Sequence, residues 1–313
     1  MTKQDFIISI MGPTGIGKTD LGIALSQEFN SHLLSVDSVQ VYKGLDIGSG
    51  KLSKNDLKKY PHKLIDICDP REPYSTALFV KDASLEVTSI LKDKKVPILV
   101  GGTMLYFNSL LKGISNLPEA DQTLRMKLAN EAKLHGWPYM HDKLKKVDLR
   151  SANKIHKNDS QRIQRALEIY HLTGKSMSTL KSENKEPGYK DHRILQFAIH
   201  PEDRESLRDK LESRFLGMLE DGLIEEVRAL LNLKGISRDL PSMRSVGYRQ
   251  IWSLLDGKIT KDEMIYRSVV ATRQLAKRQM TWLKSWNDLN WVTENTNEAL
   301  DIMLKRLKDE DLL

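Results

Sequence analysis

Residues 12–19 spell Gly12-Pro13-Thr14-Gly15-Ile16-Gly17-Lys18-Thr19, a complete G-x-x-x-x-G-K-T run. Such a run carries chemistry only where a strand leads into it and a helix leads out. Here Phe6-Ile7-Ile8-Ser9-Ile10-Met11 precedes it, a short apolar run suited to a buried parallel strand. Asp20-Leu21-Gly22-Ile23-Ala24-Leu25-Ser26 follows with helical character. The glycines let backbone N–H groups close around phosphate oxygens, and the helix N-terminus adds its positive end. In that setting Lys18 reaches the outer phosphate and the Thr19 hydroxyl helps hold Mg2+. Spacing and context together set aside a chance glycine-rich turn.

The first hundred residues alternate strand and helix. Strands are predicted at Phe6–Met11, His32–Val36, Lys63–Ile67 and Val96–Val100, with helices at Lys18–Phe29 and Thr76–Lys92. That alternation specifies an α/β core: a parallel sheet with helices on its faces. Ligands bind such sheets beyond the carboxyl ends of the strands. Three polar segments therefore converge on one crevice: the phosphate loop, Asp37-Ser38-Val39-Gln40, and Gly101-Gly102-Thr103. After Pro118 the pattern turns helical and basic from about Asp121 to Gly174, and Lys181–Tyr189 reads as a loop. Arg193–Ile199 then reads as a strand returning to the core sheet. Residues 119–190 are thus expected to be an inserted, mainly helical domain in a discontinuous core of residues 1–118 and 191–313. Helices are predicted at Glu202–Glu220, Leu223–Leu233 and Lys261–Ser285, and a last short strand at Trp291–Thr293.

Charge and composition narrow the partners. The chain has 313 residues and a net charge of +7; residues 120–200 alone hold 16 Lys/Arg against 9 Asp/Glu and six of the eight histidines. Such a region attracts a polyanion or is a solvated lysine-rich surface. No apolar run approaches the ~18–20 residues that span a bilayer, so no membrane partner is expected. The single cysteine, Cys68, excludes an internal disulfide and a Cys-rich zinc site, and is expected to be a packed thiol at a strand end. With a first strand too near the N-terminus to leave room for a signal peptide, these features suit the cytoplasm.

The phosphate loop stands without its usual hydrolytic partner. ATPases and GTPases place an acid at the end of an apolar strand, whereas Pro97-Ile98-Leu99-Val100 ends in Gly101-Gly102-Thr103. Small residues there suit close approach of a chain or ligand more than metal chemistry. Asp37, where Leu33-Leu34-Ser35-Val36 opens toward the crevice, is either a general base facing the phosphates or a turn-capping carboxylate. Arg214 falls within the helical stripe Leu207, Leu211, Met218. A core-facing arginine needs an anionic partner, either a phosphate or an internal carboxylate. Thr272–Lys284 is strongly basic, with Arg273, Lys277 and Lys284 on one face; with Arg244 and Arg249 it lines a nucleic-acid backbone or is simply solvated.

Seven segments in order resemble one family, the tRNA dimethylallyltransferases, also called tRNA isopentenyltransferases. They are GPTGIGKT (12–19), SVDSVQVYKGLDIG (35–48), PHKLIDI (61–67), VGGTMLYF (100–107), NDSQRIQRALEIY (158–170), RSVGYRQ (244–250) and TRQLAKRQMTW (272–282). The likeness runs from Gly12 to about Trp286 and is closest to the bacterial branch. It implies a core sheet like that of the P-loop NTPases. It also implies transfer of a dimethylallyl group from dimethylallyl diphosphate to N6 of the adenosine 3′ of the anticodon, with release of diphosphate. On this resemblance Asp37 is the general base, and Lys18, Thr19 and Arg214 stabilise the leaving diphosphate with Mg2+. The loop residues Gly12 to Thr19 hold it. The resemblance assigns tRNA contacts to Asp37, Ser38, Val39 and Gln40, to Gln161, Arg162, Ile163, Gln164 and Arg165, and to Arg244, Ser245, Val246, Gly247, Tyr248 and Arg249. Thr103 and Arg125 lie at the channel, and Arg273 and Lys277 face the RNA. Tyr106 and Tyr248 stack bases or pack in the core. The basic insertion grips the anticodon stem-loop, and a monomer is expected.

Two other readings compete. A small-molecule kinase also pairs a phosphate loop with an Asp near the second strand; the missing metal-binding acid and the basic segments argue against it. A non-catalytic RNA-binding module with a vestigial loop predicts RNA binding with no chemistry to lose.

Overall fold

The structure, a computed structural model, describes residues 6–183, 188–189 and 192–312. It opens with β1 (Phe6–Met11), α1 (Lys18–Phe29), β2 (Leu33–Val36), α2 (Lys54–Lys59), β3 (His62–Lys63), α3 (Thr76–Lys92), β4 (Ile98–Gly101) and α4 (Met104–Lys112). Five helices follow: α5 (Gln122–His135), α6 (Trp137–Val147), α7 (Leu149–Ala152), α8 (Ser160–Thr173) and α9 (Met177–Glu183). The chain closes with β5 (Arg193–Ile199), α10 (Arg204–Glu220), α11 (Leu223–Leu231), α12 (Tyr248–Leu255), α13 (Lys261–Lys284), β6 (Asn290–Val292) and α14 (Thr296–Asp309). It divides into two compact units, one of Met1–Leu111 with Tyr189–Leu313 and one of Lys112–Gly188.

The first unit is an α/β layered body around a six-stranded sheet of order β3-β2-β4-β1-β5-β6. Every pairing is parallel. β1 lies between β4 and β5 and is buried on both faces, which is why its sequence is a continuous apolar run. Side chains alternate across the sheet. Ile8 and Ile10 point into one core with Leu21 and Leu25 of α1 and Met303 and Leu307 of α14. Ile7 and Met11 point into the other with Phe79 and Val87 of α3 and Phe107 of α4. The α/β class and the parallel sheet read from the sequence are thus the observed architecture.

Three local readings differ. β3 is two residues long and not five, because Leu64 and Asp66 take left-handed backbone (φ 66° and 57°) that no strand accommodates. The chain there follows the 40–43 loop instead: the N–H groups of Ile67 and Cys68 donate to the Val41 carbonyl (both 2.9 Å). Cys68 is buried on that path, and burial pushes its thiol pKa up, so it is an inert packed thiol. The expected loop at Lys181–Tyr189 begins inside α9; residues 184–187 lie outside those described. Finally, α2, α4, α12 and α14 are helices beyond those expected from the sequence; α14 carries Ala299, Met303 and Leu307 on one stripe and an Asn295 cap.

The second unit is helical, with Leu128, Met140, Leu144, Ile163, Leu167 and Ile169 at its centre. Its hub is Glu168, fully buried. The Glu168 carboxylate accepts from Arg125 Nε (2.9 Å), Arg165 Nη1 (2.6 Å) and the Asp121 N–H (2.9 Å). Burial alone would raise its pKa, but the two guanidinium groups and the amide together hold it below the usual value. A carboxylate with a depressed pKa contributes stability above its unfolded value and loses it as pH falls. Glu168→Ala should therefore destabilise this unit by about 3 kcal/mol near neutral pH, because it strands two arginines. Hydrogen exchange of α8 amides in the variant checks this; protection equal to wild type would contradict it.

Candidate functional site

The phosphate loop joins the buried end of β1 to α1. Gly17, the residue before the helix, is left-handed (φ 88°) and offers no side-chain cap, so the first α1 amides stay open to an anion. Lys18 folds back, its Nζ donating to the Pro13 carbonyl at 2.6 Å. Its pKa is pushed down to about 8, first by burial; Asp37 counteracts this and Arg214 adds to it. The Thr14 N–H is already engaged, donating to Gln279 Oε1 at 2.9 Å.

The neighbouring strand ends complete the crevice. Asp37 follows β2, and its Oδ1 accepts from the N–H groups of Val39 (2.8 Å) and Gln40 (3.3 Å). One oxygen thus shapes the turn. The other accepts no hydrogen bond among the described residues, so the turn and base readings of Asp37 fit one carboxylate. Gln40 is absorbed locally, with Oε1 on the Ser35 hydroxyl (2.8 Å). Thr103, after β4, donates its N–H to the Val36 carbonyl (3.2 Å), and its Oγ1 accepts from the Ser38 N–H (3.0 Å). The glycines that end β4 are required by close approach. A Cβ on Gly101 would sit 2.1 Å from the Val36 carbonyl oxygen, and one on Gly102 would sit 2.5 Å from Gln279 Nε2.

Arg214 reaches the loop from α10, where Leu207, Leu211 and Phe215 are the buried neighbours on its stripe. Its Nη1 donates to Thr14 Oγ1 (3.2 Å). Among the described residues no carboxylate lies within ion-pair distance. Burial lowers its pKa and the more distant Asp37 partly offsets this. Gly50 packs against the guanidinium, and a Cβ there would overlap it. The loop bearing Gly50 is pinned by Glu226, which accepts from the N–H groups of Asp46 (3.0 Å), Ile47 (2.7 Å) and Gly48 (3.2 Å) and from Tyr248 Oη (2.7 Å).

Two chambers adjoin at this point. A polar one of about 80 Å³ is lined by Lys18, Thr19, Asp37, Gln40, Arg214 and Gln279 among others. A second, of about 110 Å³, shares Thr14, Asp37, Ser49, Arg214 and Gln279 with it. The remaining walls of the second are mostly apolar, including Val39, Leu211, Phe215, Met218, Leu223 and Leu275. The arrangement suits a small amphipathic ligand with a multiply charged anionic head.

The other residues singled out from the sequence divide by exposure. Ser38, Gln161, Arg162, Arg244, Arg249 and Lys277 are exposed. Arg125 and Arg165 are committed to Glu168, and Gln164 Nε2 donates to the Arg125 carbonyl (2.8 Å). Arg273 pairs with Glu212 (2.7 Å). Ser245 is half-buried, and Val246 and Gly247 line the apolar chamber. Ile163 is core of the helical unit, and Tyr106 and Tyr248 are buried in the first, Tyr106 stacked on Phe79. Base stacking by either tyrosine is therefore corrected to packing. Gln279 was missed. It lies on the buried stripe Ala276, Gln279, Leu283 of α13, and a glutamine inside an apolar stripe carries the same signal that exposed Arg214.

The model of the IPP transferase family matches residues 40–286. A full-length tRNA isopentenylpyrophosphate transferase of Bacillus halodurans is 32% identical at TM-score 0.70, with 98% of each chain covered. The tRNA delta(2)-isopentenylpyrophosphate transferase of Staphylococcus epidermidis is 30% identical at TM-score 0.70, covering 98% of this chain and 100% of that one. A eukaryotic dimethylallyltransferase acting on tRNA is 26% identical at TM-score 0.80, covering 98% and 79%. The chain belongs to the IPP transferase family. As a member it is an enzyme, a transferase. Among its described residues no helix is long and apolar enough to cross a membrane.

Lys18 gives this geometry a spectroscopic handle. Its 13Cε resonance should titrate near pH 8 in the free enzyme, against about 10.4 for an ordinary lysine. Arg214→Ala, which removes a neighbouring cation, should move the midpoint upward. A midpoint above pH 10, or no response to the Arg214 change, would contradict the arrangement.

Proposed function

We propose that this enzyme transfers the dimethylallyl group of dimethylallyl diphosphate to N6 of the adenosine immediately 3′ of the anticodon in tRNA. The observation that carries the donor is the pair of adjoining chambers, one with two cations and one apolar, sharing Arg214 and Asp37. The diphosphate sits on the loop with Lys18 and Arg214, and the five-carbon chain fills the apolar side. The tRNA acceptor is supported by the relatives named for acting on tRNA.

The chemistry needs no activated water. The N6 lone pair attacks the allylic C1, the C1–O bond breaks, and its electron pair leaves on the diphosphate. The free oxygen of Asp37 takes the amine proton. Lys18 and Arg214 are fixed where negative charge grows on the leaving group, so they stabilise the transition state without reorganising. The adenosine has to leave its stack to come within reach of Asp37, as for other base-modifying enzymes. Among the described residues no cluster of three or more acidic, His or Cys side chains could hold a metal. One hydroxyl, Thr19, fits an ion held otherwise by diphosphate oxygens and water. When bound there, Mg2+ would neutralise leaving-group charge. On this reading the loop grips diphosphate.

Phosphate-backbone contacts fall to the exposed Arg162, Arg244, Arg249 and Lys277, and to the basic helical unit. A groove of about 620 Å³ between α10 and α13 is rimmed by Arg204, Arg208, Lys277 and Lys284, none ion-paired among the described residues. A monomer in the cytoplasm completes the proposal.

Transfer of radiolabelled dimethylallyl to unmodified tRNA, with ATP turnover followed in parallel, tests the reading. Label in RNA without ATP turnover is expected; ATP turnover without label would indicate a kinase. Asp37→Ala should cut turnover roughly 10²–10⁴-fold while tRNA affinity stays nearly intact. Parallel loss of both would remove Asp37 as the base. Lys277→Ala should weaken tRNA binding and reduce the salt slope by about one. An unchanged slope would take α13 out of the interface.

A further inference from the structure

We infer that Gln279 is a positioning residue for the transfer, its carboxamide setting the separation between the diphosphate grip and the strand end that faces the acceptor. The inference rests on the prenyl-transfer reading above. Gln279 is buried and spends both ends of its amide on backbone far away in sequence. Oε1 accepts the Thr14 N–H of the phosphate loop at 2.9 Å, and Nε2 donates to the Gly102 carbonyl beyond β4 at 2.8 Å. The partners fix the amide orientation, because a flipped group would set donor against donor and acceptor against acceptor.

Thr14 also holds Arg214 through its hydroxyl. Gly102 precedes Thr103, which is bonded to Val36 and Ser38 on either side of Asp37. One amide therefore spans the groups that hold the leaving diphosphate and the groups that hold the base. The space it occupies exists only because residue 102 lacks a Cβ. Of the glycine pair that stands in place of the usual strand-end acid, Gly101 admits the Val36 carbonyl and Gly102 admits this crossbar. Gln279 is buried and lines both chambers, although it sits within the basic segment Thr272–Lys284.

Gln279→Met keeps the shape and removes both hydrogen bonds. With both substrates saturating, kcat should fall about 10- to 100-fold, as expected for misplaced reacting groups, while tRNA affinity changes less than about twofold. Rates are normalised to the fraction of enzyme that binds donor, so that misfolded protein does not count. Gln279→Glu keeps the acceptor and places a negative charge beside the diphosphate. Its donor KM should exceed that of Gln279→Met by about tenfold or more. Independently of activity, exchange of the Thr14 amide in the free enzyme should accelerate at least about tenfold in Gln279→Met. Unchanged kcat, or a rate loss fully explained by lost active enzyme, would overturn the inference. So would an unchanged Thr14 exchange rate. If the wild type transfers no label to tRNA, the functional reading fails instead, and the exchange measurement still judges the crossbar.

Discussion

Two half-buried cations share one small chamber, and the rest of the site is arranged around that fact. Desolvation disfavours the charged form of both and lowers the pKa of each, and Arg214 adds to the lowering at Lys18. Among the described residues Asp37 is the carboxylate that offsets them, and it does so without an ion pair. A protein that partly desolvates a guanidinium without an ion-pair partner leaves a demand that a ligand can meet. On the proposed function a diphosphate meets it with charge, oxygen atoms and size. The left-handed entry to α1 supplies further N–H donors at the same spot.

Holding such an arrangement together takes rigid surroundings. The sheet fixes the ends of β1, β2 and β4 side by side, so three chain segments far apart in sequence meet at one edge. Glu226 pins the 46–48 loop, whose continuation Gly50 packs on Arg214. Lys51, nearly inaccessible, ties the same loop by donating to the Tyr42 carbonyl (2.6 Å), Asp46 (2.8 Å) and Asp66 (2.6 Å). Preorganisation of this kind lets fixed charges act on a transition state without reorganising.

Much of this was legible in the chain and some was not, for identifiable reasons. β1, the phosphate loop and α1 are local patterns, and they form where their periodicity places them. Arg214 was legible because a charge on an apolar helical stripe has to point inward. Gln279 obeys the same rule but sits in a segment dense with exposed Arg and Lys, which masks the stripe. The short β3 depended on left-handed backbone at Leu64 and Asp66, which non-glycine residues seldom adopt and periodicity does not announce. The resemblance places Arg165 at the tRNA and Arg125 at the channel, whereas the buried Glu168 that both arginines bond emerges only when α5 and α8 pack. Tyr248 likewise looks available until Glu226 arrives from α11.

The central claim of the proposal is that Arg214 has no carboxylate partner among the described residues because its anionic partner is the substrate. Calorimetric titration of dimethylallyl diphosphate with Mg2+ into the wild type, Arg214→Ala and Arg214→Lys tests it most directly. Arg214→Ala should weaken donor binding about 100-fold and Arg214→Lys by less, since an ammonium keeps the charge and loses the planar fork. tRNA affinity should be unchanged in all three. Donor affinity within twofold of wild type in Arg214→Ala would contradict the account and return Arg214 to a structural role.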